Sequence, residues 1–93
     1  MLFTIFWKPD AEERLAAIWL TSTNRKAVTH DAHELELVLE QFPNSAGEVS
    51  FDTVRVYTFG SLTVEFEVFD EEKEVLVMEV WNTADGRPEV TGN

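Results

Sequence analysis

The fold is decided by the first part of the chain, residues 2–20, which read LFTIFWKPDAEERLAAIWL. Residues 2–7 are apolar or β-branched on both faces, and this predicts a short strand that is covered or central in its sheet. Pro9 fits the first turn of a helix, where its missing N–H would have no partner in any case. The acidic residues that follow lie at the positive end of the helix dipole. This stretch therefore predicts a strand that is followed directly by a helix over residues 9–20.

Two predicted helices carry apolar stripes at helical spacing. The stripe of the first helix consists of Ala11, Leu15, Ile18 and Trp19. A polar break over residues 21–24 supplies cap residues for a second helix over residues 25–41. The stripe of the second helix consists of Val28, Ala32, Leu35, Leu39 and Phe42. Because the link between the helices is short, we expect them to pack as an antiparallel hairpin.

The apolar period changes from helical to alternating in the second half of the chain. Residues 43–53 are predicted to be irregular. Three strands are predicted after them, over residues 54–59, 62–69 and 75–81. Gly60-Ser61 between the first two strands has the Gly-X chemistry of a type II′ hairpin turn. The order of elements is therefore β-α-α-β-β-β, an α+β fold with the helical hairpin on one face of an antiparallel sheet.

Size and composition predict one domain over residues 1–82 and a flexible tail over residues 83–93. The chain has no cysteine, which excludes disulfides, thiolate metal ligands and cysteine nucleophiles. Its apolar stretches are far shorter than a membrane span, and no basic region precedes the first of them. We therefore expect a cytoplasmic protein.

The charge of the chain is strongly negative. Seven basic residues face eighteen acidic ones, for a net charge of −11. Residues 48–79 alone hold nine acidic residues against Arg55 and Lys73. Nucleic-acid binders gain affinity from clustered Lys and Arg, so direct binding of DNA or RNA is not expected. A basic protein partner is the better electrostatic match.

Three local patterns point to a family. The first is the opening Trp7-Lys8-Pro9 with the apolar stripe that follows it. The second is Arg55, which lies early in the predicted strand over residues 54–59. The third is the alternating run Val77-Met78-Glu79-Val80-Trp81 at the end of the last strand. In this order and spacing the chain resembles the RelE/ParE toxin superfamily over residues 2–82. The resemblance implies a toxin of a type II toxin–antitoxin pair, with a small antitoxin as its partner.

The resemblance implies two possible activities. RelE-like members cut messenger RNA on the ribosome, which needs a general base, a general acid and cations for the phosphate. Where a proton-transferring residue is common in the family, this chain has Asn82, which cannot act as an acid or a base. The candidate catalytic residues are Arg55, Asn82 and Arg87. ParE-like members instead poison DNA gyrase through protein contacts.

The last two predicted strands carry the candidate partner-binding residues, Glu65, Glu67 and Glu79, at alternating positions that we expect to face outward. Three carboxylates on one face would oppose the binding of a phosphate. We therefore predict a RelE/ParE-like protein without ribonuclease activity that acts through protein–protein contacts. A non-catalytic acidic interaction module on the same fold and an active ribosome-dependent endonuclease are the alternatives.

The second helix carries a candidate metal site. His30, His33 and Glu34 lie three and four residues apart, so they share one side of the helix. The simpler interpretation is a solvated helix face, since Ala32 and Leu35 mark the buried side. We expect neither a metal nor a cofactor.

The face on which Arg55 lies depends on the hairpin. A two-residue loop pairs Phe59 with Leu62, which places Arg55 opposite Phe66, whereas a bulge reverses the face. One interpretation of Arg55 is a part of the toxin surface, and the other is a cross-strand partner of Glu65 or Glu67.

Overall fold

The structure is a computed structural model and describes residues 2–88 of the 93. Two helices and five strands follow one another along the chain. They are β1 (Thr4–Trp7), α1 (Pro9–Thr21), α2 (Arg25–Gln41), β2 (Glu48–Phe51), β3 (Val54–Phe59), β4 (Leu62–Phe69) and β5 (Glu74–Asn82). The predicted α+β class is confirmed, and the bounds of α2 agree with the prediction.

The link between the helices is held by side chains of the link itself. Asn24 caps α2, because its side-chain oxygen accepts a hydrogen bond of 3.1 Å from the backbone N–H of Ala27. Arg25 donates to the carbonyl oxygens of Trp19 and Leu20 at 3.2 and 2.9 Å. Its guanidinium also lies 4.6 Å from the centre of the Trp19 ring. Arg25 thus binds two of the last carbonyls of α1 and fixes the turn into α2.

The sheet has the strand order β1-β5-β4-β3-β2, and it is mixed. The strands β2 to β5 pair antiparallel with their neighbours, whereas β1 pairs parallel with β5, with Thr4 opposite Glu74 and Trp7 opposite Val77. The prediction of a wholly antiparallel sheet is wrong in this detail. The partner of β1 is the last strand of the chain, and both helices and three strands lie between the two in the sequence. Because no hairpin connects them, β1 and β5 are free to pair in parallel.

The strand β2 was not predicted. It lies within the stretch that was expected to be irregular, and all four of its residues are exposed. Its pairing with β3 contains a bulge between Val49 and Phe51. A short edge strand of this kind has no buried side, so it lacks the alternation from which strands are recognised.

The hairpin between β3 and β4 has the predicted two-residue loop. Phe59 pairs with Leu62 and Arg55 pairs with Phe66. Gly60 has a φ of 59°, whereas Ser61 does not have a positive φ, as a type II′ turn requires. The register of the two strands is therefore the one that this loop predicts.

The core lies between the helical hairpin and one face of the sheet. Its largest fully buried side chains are Phe66, Leu35, Leu39 and Leu62, together with valines of β4 and β5. The predicted stripe of α2 is confirmed except for Phe42, which is 60% exposed. The helix ends at Gln41, and Phe42 has φ −136° and ψ 50°, so its side chain leaves the stripe.

The last described residues continue past β5 in a turn. The backbone N–H of Thr83 donates to the carbonyl of Ser61 at 2.8 Å, and Gly86 donates to Thr83. Residues 89–93 of the predicted flexible tail lie outside the described residues. Between residues 2 and 88, no helix is long and apolar enough to cross a membrane.

Candidate functional site

The sheet has a second face that the helices do not cover, and we call it the open face. Strand pairing determines which side chains lie on it, because paired residues point to the same side. One row across the sheet consists of Phe6, Leu76, Glu67, Val54 and Phe51. The next row consists of Glu79, Glu65, Val56 and Glu48, and the third of Trp81, Thr63 and Thr58.

All three predicted partner-binding carboxylates lie on the open face. Glu65 is directly opposite Glu79 across the β4–β5 pair, a juxtaposition of like charges. Glu67, one row away on β4, accepts a hydrogen bond of 2.6 Å from the hydroxyl of Thr53. Glu79 is exposed, whereas Glu65 is only 2% exposed. The tertiary structure thus brings the three carboxylates together, in two different environments.

The segment after β5, residues 83–88, explains why Glu65 is buried. The hydroxyl of Thr83 lies 2.9 Å from that of Thr63, which in turn lies 2.8 Å from that of Thr58. Farther along, Arg87 forms an ion pair with Glu65. The Arg87 guanidinium also lies 5.8 Å from the centre of the Trp81 ring. This segment therefore folds back over part of the open face.

Asn82 lies at the start of that segment and forms a turn. Its side-chain oxygen accepts a hydrogen bond of 3.0 Å from the backbone N–H of Ala84. It pairs with Leu62, which belongs to the core, so Asn82 is on the helix side of the sheet. The structure thus separates this candidate catalytic residue from the open face, where Arg87 lies.

Arg55 also lies on the helix side. Its guanidinium donates to the carbonyl oxygens of Ala46 and Gly47 at 3.1 and 3.2 Å, and so holds the loop that enters β2. The interpretation of Arg55 as a cross-strand partner of Glu65 or Glu67 is wrong, because these residues alternate to the opposite face. The three candidate catalytic residues therefore do not converge on one point.

The candidate metal ligands of α2 are not brought together with other ligands. His30 packs near Phe59, with 6.4 Å between the ring centres. His33 lines a shallow groove between the helices, together with Trp19 and Glu36. Within residues 2–88, the structure contains no group of three or more His, Cys, Asp or Glu side chains arranged to hold a metal ion.

Asp31 is a structurally important residue that the sequence analysis did not single out. It is buried in α2, and its Oδ2 accepts hydrogen bonds from the backbone N–H and the hydroxyl of Ser61, at 2.8 and 2.7 Å. A signal was present, because Asp31 lies three residues after Val28 and four before Leu35, on the buried side of the helix. Asp31 thus ties α2 to the hairpin turn between β3 and β4.

The basic residues do not form a cluster on the open face. Arg25 and Lys26 belong to α2, and Lys73 lies 5.2 Å from the centre of the Phe3 ring. Arg14 belongs to α1 and lines a groove that Glu79 also lines. Lys8 follows β1 at the margin of the open face. Arg87 is already paired with Glu65.

The open face thus combines acidic and apolar side chains, with Phe6 47% and Phe51 57% exposed. Carboxylates next to aromatic rings are suited to hold cationic side chains. Among residues 2–88, no cluster of cations lies on this face where a phosphate would bind.

No protein-family model and no curated protein matches the chain. Solved structures do match. The toxin–antitoxin complex RelBE2 from Mycobacterium tuberculosis has a TM-score of 0.73 at 13% identity, over 88% of this chain and 92% of the other.

Two further structures match over most of their length. The chromosomal ParDE system from P. aeruginosa has a TM-score of 0.67 at 21% identity, over 86% of this chain and 95% of the other. The archaeal RelE–RelB complex from Pyrococcus horikoshii has a TM-score of 0.60 at 14% identity, over 95% and 100%. The chain therefore has the fold of the RelE/ParE toxins, as the sequence patterns indicated.

Proposed function

We propose that this chain is a RelE/ParE-like protein of a type II toxin–antitoxin system. In this proposal the protein acts through protein–protein contacts and has no ribonuclease activity. The observation that carries the proposal is the acidic open face. Glu48, Glu65, Glu67 and Glu79 lie on it, and Arg87 is neutralised there by Glu65.

Cleavage of RNA on this face would need cations for the phosphate, which the face does not offer. A base must take the proton of the 2′-hydroxyl, an acid must protonate the leaving oxygen, and cations must stabilise the phosphate. The carboxylates would repel the phosphate, Asn82 does not transfer protons, and Arg55 is bound to loop carbonyls on the other side. These contacts favour a protein-binding role over a nuclease role.

The chemistry of the partner follows from the same charges. The solved relatives include toxin–antitoxin complexes, which supports a cognate antitoxin as the partner of this chain. The net charge of −11 favours a partner whose binding segment is basic. Exposed charges are screened beyond about 8 Å at physiological ionic strength, so this association should weaken as salt is added.

Binding is tested with the purified chain and the product of an adjacent small gene, at low and high salt. The double variant Glu67→Gln/Glu79→Gln should bind the partner several-fold more weakly than the wild type. Its matched control is Glu34→Gln/Glu40→Gln, which removes the same charge from α2 and should bind as the wild type does. Equal weakening by both variants would show that net charge, and not the open face, determines binding.

The absence of ribonuclease activity is tested by expression in a bacterial host, with an active RelE toxin as the positive control. The host should tolerate this chain, and its messenger RNA should stay intact. Growth arrest accompanied by cleavage of messenger RNA would refute the proposal. Tight, salt-resistant binding of RNA or DNA by the purified chain would refute its electrostatic basis.

A further inference from the structure

Glu65 is the most unusual side chain of the open face. Its side chain is 3% exposed, although its neighbour across the strands is another carboxylate, Glu79. A buried carboxylate is strongly unfavourable unless a cation and hydrogen bonds compensate it. Arg87 supplies that cation from a segment with no regular secondary structure, and its own side chain is 50% exposed.

Trp81 provides the second wall of the same position. It lies on the open face in the row next to Glu65 and is 8% exposed. The Arg87 guanidinium lies 5.8 Å from the centre of its ring. A guanidinium is planar, and it can stack on an aromatic ring while its N–H groups bind a carboxylate. A lysine ammonium is a compact point charge and does not combine the two contacts in this way.

We propose that Glu65 and Trp81 form an arginine-binding subsite, which Arg87 fills in the free chain and an arginine of a basic protein segment fills in the complex. The identity of that basic partner rests on the proposed function. Glu67 and Glu79 flank it with further negative charge, which suits a segment with more than one basic residue. The contact made by Arg87 within the chain shows which side chain the subsite accepts.

Competition with Arg87 follows directly. An arginine tethered five residues from the end of β5 acts at a high effective concentration, so it lowers the apparent affinity for an external arginine. Removal of Arg87 leaves the subsite open at all times. The affinity for an external arginine should then rise by a factor of one over the fraction of chains whose subsite is open in the wild type. We expect a gain of about 3–10-fold, as for a competitor that occupies the subsite most of the time.

The test uses two labelled peptides of equal length, one alternating Arg and Gly and the other alternating Lys and Gly. Their binding to the full chain is measured by fluorescence anisotropy at low salt. The variants are Arg87→Gln, Glu65→Gln/Arg87→Gln and the control Lys26→Gln, which removes one positive charge from α2. Circular dichroism checks that each variant folds, and the NMR signal of the Trp81 indole N–H reports contact at the subsite.

Arg87→Gln should bind the arginine peptide about 3–10-fold more tightly than the wild type, with a smaller gain for the lysine peptide. Lys26→Gln should gain little affinity for either peptide. Glu65→Gln/Arg87→Gln should bind the arginine and lysine peptides equally well. An equal gain in Arg87→Gln and Lys26→Gln, or no shift of the Trp81 signal, would overturn the subsite and leave the proposed basic partner intact. If neither peptide binds any variant at low salt, the basic partner itself is refuted.

Discussion

The substitution Asp31→Ala tests how the helical hairpin is attached to the sheet. In the native chain, Oδ2 of Asp31 accepts two hydrogen bonds from Ser61, at 2.8 Å from the backbone N–H and 2.7 Å from the hydroxyl. Hydrogen bonds to a charged group contribute about 1.5–3 kcal/mol each. Because both converge on one oxygen, they are not independent, and we expect a total loss of about 2–4 kcal/mol.

The loss should be measured as the change in the free energy of unfolding, from urea titrations followed by tryptophan fluorescence. In a domain of this size, each kcal/mol lowers the melting temperature by about 4–8 °C, so the variant should melt roughly 8–30 °C below the wild type. Asp31→Asn keeps an oxygen acceptor in the same place and should lose only about 1 kcal/mol. Ser61→Ala keeps the backbone N–H donor and should lose a similar amount.

Two results would refute this reasoning. One is an Asp31→Ala variant whose unfolding free energy lies within about 0.5 kcal/mol of the wild type, the range of an ordinary surface substitution. The other is a double variant, Asp31→Ala/Ser61→Ala, whose loss equals the sum of the two single losses. The hydroxyl bond is common to both substitutions, so the double variant should lose less than that sum.

Four further substitutions have defined outcomes. Gly60→Ala should destabilise the chain by about 2 kcal/mol or more, because φ is 59° and the new Cβ would lie 2.5 Å from Oδ2 of Asp31. Gly86→Ala, where φ is also positive but the Cβ meets no atom within 4 Å, should lose less in the same urea titration. Arg55→Ala should reduce stability by about 1–2 kcal/mol through the loop before β2 and leave partner binding unchanged; weaker binding at equal folding would contradict this. Phe66→Ala should cost about 3–5 kcal/mol in thermal unfolding, since Phe66 is fully buried, and a loss below 1 kcal/mol would place it outside the core.

Local signals predicted the helices and the central hairpin. Residues 25–41 are helical as the apolar spacing indicated, and Asn24 is the cap that the polar break supplied. The glycine of Gly60-Ser61 fixes the turn, and the turn fixes the register of β3 and β4. These features depend on a few neighbouring residues, so the chain alone determines them.

Edges and long-range partners were decided by the tertiary structure. The strand β2 is held by pairing with β3, and β1 runs parallel to β5 because of contacts across almost the whole chain. In both cases the deciding contact joins segments whose distance in the sequence carries no periodic signal. Phe42 is exposed for a local reason, because α2 ends at Gln41 as predicted and Phe42 is no longer helical.

The candidate site divides in the same way. Alternation along β4 sufficed to place Glu65 and Glu67 on one face, and composition alone determined the acidity of the chain. Glu79 shares that face only because the β4–β5 pairing is irregular beside Glu65, since alternation from Val75 and Val77 would turn Glu79 toward the core. Only the folded chain places Arg87 on Glu65 and Trp81, and Arg55 on the carbonyls before β2. A side chain's face follows from local backbone geometry, whereas its ion-pair partner depends on which distant segments the fold brings into contact.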